Sequence, residues 1–175
     1  SSGLKKSSPL AVLRLSVSQA EPGGPVVMDF LKLVALDDVD LGILSAHLQD
    51  AVIKVGDLAF EPSNRRFAVA CNRFVWENEA KRSFLRKTPH ERRRCILHFD
   101  RVLHVRAAGI DRSRPDDVLS LLALNFIPAE EAPAGVVELI FSGGSALRLD
   151  VECIEARLTD LGAAWETPSR PRHDV

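Results

Sequence analysis

Three titratable side chains fall within LHFDRVLH: His98, Asp100 and His104. Two imidazoles and a carboxylate could hold a zinc ion or relay a proton. If this stretch is an extended strand, His98 and Asp100 lie on one face about 7 Å apart. A bend at Asp100–Arg101 would take His104 away from them. Zinc would also need a further ligand, and Cys95 has the opposite strand parity to His98. The polar face of an ordinary strand, with Asp100 paired to Arg101 or accepting a turn amide, explains the same residues and is preferred. His98, Asp100 and His104 therefore stand as candidates only, and no catalytic residue, metal ligand or cofactor is assigned.

The second concentration is KRSFLRKTPHERRR, where Lys81, Arg82, Arg86, Lys87, Arg92, Arg93 and Arg94 face the single acid Glu91. Such a segment could neutralise phosphates, with Phe84 or His90 stacking on a base. Single-stranded RNA fits better than duplex DNA, because no helix here is shaped for a major groove. Glu77 and Glu79 dilute the charge just upstream, and a solvated loop explains the same composition.

Other chemical signals are weaker. SGGS at 142–145 is glycine-rich but links two strand-like runs, whereas a phosphate cradle leads into a helix N-terminus. Ser45 and His47 are two residues apart on a predicted helix and point to different faces, so they do not pair as nucleophile and base. Cys71, Cys95 and Cys153 are odd in number, widely spaced and embedded in apolar segments, which suits small buried hydrophobes in a reducing compartment.

The elements that must position these residues follow from periodicity. A short strand is predicted around Leu31–Ala35. A helix follows, capped by Asp37 or Asp38, with a stripe through Leu41, Leu44, Leu48 and Val52. Strands are predicted at Val52–Val55, Leu58–Phe60 and Arg66–Trp76, with PSNR (62–65) turning between the last two and Asn64 suited to a left-handed conformation. Arg94–Phe99 and Val102–Ala107 suggest one strand bent at Asp100–Arg101. Val118–Ile127 is apolar on both parities, which predicts a central strand covered on both sides. A hairpin then buries Val137, Leu139, Phe141, Leu147 and Leu149. Asp150 is read as the cap of a last helix with the stripe Val151, Ile154, Leu158 and Leu161, ended by Gly162.

These elements describe a single α+β domain over 28–166: an antiparallel, strongly bent sheet or partly open barrel with a C-terminal capping helix, similar to the pleckstrin-homology-like barrel. Residues 1–27 read as an extension outside the fold, with a strand at Leu10–Val17 as the alternative, and 167–175 as a flexible tail. The 175-residue chain carries a net charge of −1, with 46% apolar and 27% charged residues. That composition is globular and gives no overall drive toward membranes or nucleic acid.

LGILSAHLQDAVIKVGDLAF, RFAVACNRFVWE, LHFDRVLHV, GIDR and LRLDVECIEARLTDLG together resemble a bacterial family, the Domain of Unknown Function 2948 family, from about Phe30 to Trp165. The resemblance implies a cytoplasmic bacterial protein and brings no catalytic residues with it. The expected function is non-enzymatic binding of a macromolecule, most simply a protein. The alternatives are metal or enzyme chemistry at His98, Asp100 and His104, and RNA or anion binding through 81–94.

Overall fold

The computed structural model describes residues 12–17, 28–74 and 92–163. One antiparallel sheet of eleven strands organises them: β1 (Val12–Val17), β2 (Met28–Ala35), β3 (Val52–Lys54), β4 (Leu58–Glu61), β5 (Arg66–Phe74), β6 (Arg92–Phe99), β7 (Val102–Ala108), β8 (Val118–Pro128), β9 (Gly135–Phe141), β10 (Ala146–Val151) and β11 (Ala156–Ala163). Their order is β1-β2-β11-β6-β5-β3-β8-β9-β10-β7, with β4 branching from β5. Among the described residues the path is open, and β4 and β7 each have a single partner. Within the segment read as an extension, β1 pairs along β2 from Val12↔Leu33 to Val17↔Met28.

Alternation builds the core. Phe67, Val69 and Cys71 of β5 meet Phe99, Leu97 and Cys95 of β6 in direct register, and all are buried. Val137, Leu139 and Phe141 of β9 sit opposite Leu149, Leu147 and the turn, as the hairpin pattern predicts. On the outer face of that hairpin Glu138 accepts a 3.0 Å hydrogen bond from its cross-strand neighbour Arg148. SGGS forms its turn, with Gly143 and Gly144 at φ 82 and 88, where a side chain would be strained.

The helix α1 (Asp38–His47) starts where the aspartates predict. Asp37 accepts from the Asp40 amide at 2.8 Å, and the Asp40 carboxylate reaches back to the Leu36 amide at 3.0 Å. Leu41, Leu44 and Leu48 point into the core, but the helix ends at His47 and Val52 belongs to β3. The helix end also completes β8. Val118–Ser120 pair with β3, Leu121 then exchanges hydrogen bonds with Asp50 and Ala51, and the Ser45 hydroxyl accepts the Leu124 amide at 3.0 Å.

Several expectations are corrected. The predicted C-terminal helix is a turn followed by β11, which inserts between β2 and β6. Val151, Ile154, Leu158 and Leu161 satisfy helical spacing, yet Ile154, Ala156, Leu158 and Asp160 also alternate, and that set is buried while Leu161 is exposed. As a strand the segment supplies ladder partners to both β2 and β6. Asp150 is a β10 residue, not a helix cap, and the pleckstrin-homology comparison loses the helix on which it rested.

Residues 92–108 form two strands rather than one. The chain turns at Asp100–Arg101, where Arg101 takes a left-handed φ of 62, and passes from the β5–β6–β11 ladder to β10. Opposite it, β10 runs on into β11. The Asp100 amide donates to the Glu155 carbonyl and the Glu152 amide to the Arg101 carbonyl, carrying the pairing through the corner. The anticipated irregularity exists beside it, as a register shift between Asp150 and Val151.

β8 is covered on one side only. A bulge at Leu122 switches the inward parity from Leu119 and Leu121 to Leu124, leaving Val118, Leu122 and Ile127 exposed. In the PSNR turn the left-handed residue is Arg65, not Asn64. No helix among the described residues is long and apolar enough to cross a membrane.

Candidate binding site

The open path leaves a gap between the free edges of β4 and β7. At one end the start of β7 is held to the turn between β4 and β5, where the Val102 amide donates to the Arg65 carbonyl at 2.9 Å. Between the two edges lies a groove of about 220 Å³ whose lining side chains are apolar apart from Arg112. Phe67 of β5 and Leu147 of β10 form its floor, Leu58 and Phe60 one wall, Val105 and Ala107 the other, and Ile110 and Arg112 the rim. Strand alternation explains the lining. Leu58 and Phe60 share the inward parity of β4, opposite Val69 and Phe67, while Val105 and Ala107 share that of β7 beyond its bulge.

Arg112 is exposed and makes no ion pair or hydrogen bond among the described residues. Its neighbours on the same loop do: Asp111 accepts from the Ser113 hydroxyl and amide, and Arg114 lies 3.4 Å from Asp117. The Ser113 hydrogen bonds hold the Asp111 carboxyl below its usual range, so it stays ionised without engaging the arginine beside it. Sequence reading missed this groove because its residues come from five separate segments and no spacing connects them.

The His98, Asp100 and His104 candidates are divided by the corner. His98 Nε2 lies 3.9 Å from Asp100 Oδ2, beyond hydrogen-bond reach, and has no hydrogen-bond partner. Asp100 is held instead by Arg66 Nε at 2.8 Å. That bond raises the arginine pKa above its ordinary value. Burial lowers the His98 pKa, with the Asp100 charge only partly offsetting it. His104 sits on the outer face of β7 with its side chain 74% exposed, 3.7 Å from Asp150, which also accepts from Arg106. Among the described residues no group of three His, Cys, Asp or Glu side chains is arranged to hold a metal ion.

Lys81, Arg82, Arg86 and Lys87 lie outside the described residues. Arg94 lies on β6 as the strand reading from Arg94 predicts, and Arg92 and Arg93 precede it on the same strand, where alternation separates the three. Arg92 and Arg94 face outward, and Arg92 stacks on Phe74 at 4.9 Å. Arg93 turns inward to within 3.7 Å of Asp160. There the fully buried Arg73 donates from Nε and Nη2 to the two Asp160 oxygens at 2.9 Å each, and Asp160 Oδ2 also accepts the Leu31 amide. This bidentate pair ties β2, β5 and β11 together inside the core.

Comparison with curated proteins and with solved structures returns no match. Residues 31–173 match the family model described as "Protein of unknown function (DUF2948)", and the chain belongs to that family.

Proposed function

We propose that this chain is a protein-binding domain that takes an extended segment of a partner along the free edge of β7. The partner strand would lay one large apolar side chain into the groove and a carboxylate against Arg112. The observation that carries this reading is the groove between two unpaired strand edges. Edge backbone supplies affinity to an added strand, and the pocket beneath supplies side-chain selection.

Size argues for a peptide over a free small molecule. Drug-sized ligands occupy pockets of roughly 300–1,000 Å³. The groove here is about 220 Å³. A cavity of roughly 150 Å³ accepts benzene, so this one suits a single aromatic or branched aliphatic side chain. The unpaired Arg112 selects an acidic neighbour for that anchor.

Selection of random peptides on the folded chain, followed by amide chemical-shift mapping, tests the reading. Selected sequences should combine one bulky apolar residue with Asp, Glu or a free C-terminus, and should shift β4 and β7 amides. Ala107→Trp fills the groove from an exposed position and should weaken binding at least tenfold. Selected peptides that bind Ala107→Trp unchanged would overturn it.

A further inference from the structure

A second surface stands on different residues. The outer face of the β2–β11–β6–β5 part of the sheet carries Lys32 on β2, Arg157 on β11, and Arg94 and Arg92 on β6, with Phe74 of β5 beside the last. Elsewhere among the described residues most arginines other than Arg112 are matched to acids: Arg65 to Glu152, Arg66 to Asp100, Arg101 to Glu152 and Glu155, Arg106 to Asp150 and Arg148 to Glu138. Lys32, Arg94 and Arg157 have no ion pair among the described residues, and Arg92 has only the Phe74 ring. The outward positions of these four strands between the corner and Phe74 hold no carboxylate. Unpaired cations gathered on one face of a protein of net charge −1 form a local positive field that overall composition hides.

Register sets their layout. Thr159 stands between Lys32 and Ile96, Arg157 between Val34 and His98, and Arg94 beside Asn72. The centre of the face is therefore short or uncharged, with cations around it. Arg92 and Arg94, two residues apart on one strand, are about 7 Å from each other, a spacing that successive phosphates of an extended strand can follow. At the end of the row the Arg92 guanidinium lies over the Phe74 ring, a planar pair against which a base can stack.

We infer that this sheet face binds single-stranded RNA, its phosphates on Lys32, Arg92, Arg94 and Arg157 and a base against the Phe74–Arg92 pair. Bare charge would serve any polyanion; the aromatic at the end of the cation row favours one that carries bases.

The test is binding of a fluorescent 12-nucleotide single-stranded RNA to the full chain at several salt concentrations. Four phosphate contacts predict a slope of log affinity against log salt of about −3, at about −0.7 per contact. Lys32→Ser, Arg94→Ser and Arg157→Ser combined should reduce its magnitude by about 2 and cost at least tenfold in affinity at low salt. These side chains hold no carboxylate, so thermal melting should hardly change. Phe74→Leu should weaken RNA binding while leaving any binding of polyphosphate or phosphatidylserine vesicles unaffected. RNA binding that the triple replacement leaves intact, no RNA binding at all, or polyphosphate or vesicle binding equal to that of RNA with Phe74→Leu silent, would each overturn the inference.

Discussion

Asp160→Ala removes, in one step, the acceptors of the Arg73 Nε and Nη2 hydrogen bonds and of the Leu31 amide, all in the core. Arg73 is fully buried, so its charge loses the carboxylate without gaining water. Removing one partner of a buried ion pair costs about 3–5 kcal/mol, a large share of the roughly 5–15 kcal/mol that holds a domain together. At a urea slope of about 2 kcal/mol per molar, the midpoint of unfolding should fall by about 2 M. Replacing both members with apolar residues, Arg73→Met with Asp160→Leu, should recover much of that loss, because the fully buried guanidinium is then gone together with its carboxylate. The Leu31 amide would remain without its acceptor, which costs about 1–3 kcal/mol. Urea denaturation of the three proteins decides the matter. A midpoint for Asp160→Ala within 0.5 M of the parent, roughly 1 kcal/mol on the same slope, would refute the assignment of this pair as the tie between β2, β5 and β11.

Burial lowers the His98 pKa, so between the unfolded value and the lower folded one the unfolded chain binds more protons. Stability should then be full above about pH 6.5 and fall as pH drops through the folded pKa; imidazole titration by NMR should place His98 below 6.5, and His98→Ala should flatten the denaturation profile there. Cys71 and Cys95 face each other with sulfurs 3.1 Å apart, and their hydrogen bond and burial push the Cys95 thiol well above its usual pKa. A disulfide-exchange reagent should therefore label these two only at the rate of unfolding, a behaviour that fast labelling of the native protein would contradict. A β-carbon on Gly135 would come 2.5 Å from both the Ile127 carbonyl oxygen and the Phe126 ring. Gly135→Ala should thus cost about 1–3 kcal/mol, read by thermal melting, and an unchanged melting temperature would show that β8 and β9 can separate there at no cost.

Where alternation was strict and one face was buried, the strands could be read directly from residue types. The 66–72 and 137–149 runs are examples, and Asp37 marked the helix start through its own capping chemistry. Ambiguity arose where one apolar set satisfied two periods. Val151, Ile154, Leu158 and Leu161 fit a helix, and only the demand of β2 and β6 for a ladder partner decides for a strand. The β8 error has a local cause: one bulge at Leu122 moves the inward parity, so apolar residues on both parities look like two covered faces. Arg92, Arg93 and Arg94 read as one basic cluster, but the pleat sends the middle one to a buried acid that lies far along the chain. The groove was invisible for a different reason. It is made by strand edges that fail to meet, and pairing partners are a property of topology rather than of any single segment.

β11 is last among the described strands yet lies between β2 and β6. During synthesis, β2, β5 and β6 leave the ribosome well before the strand that must lie between two of them. Until it arrives, β2 and β6 expose the backbone groups that β11 will take, and Arg73 has no Asp160 to meet. The domain should complete its sheet only after β11 has emerged. Nascent chains halted before Ala156 should stay protease-sensitive, and they present the edges at which misassembly between copies would begin.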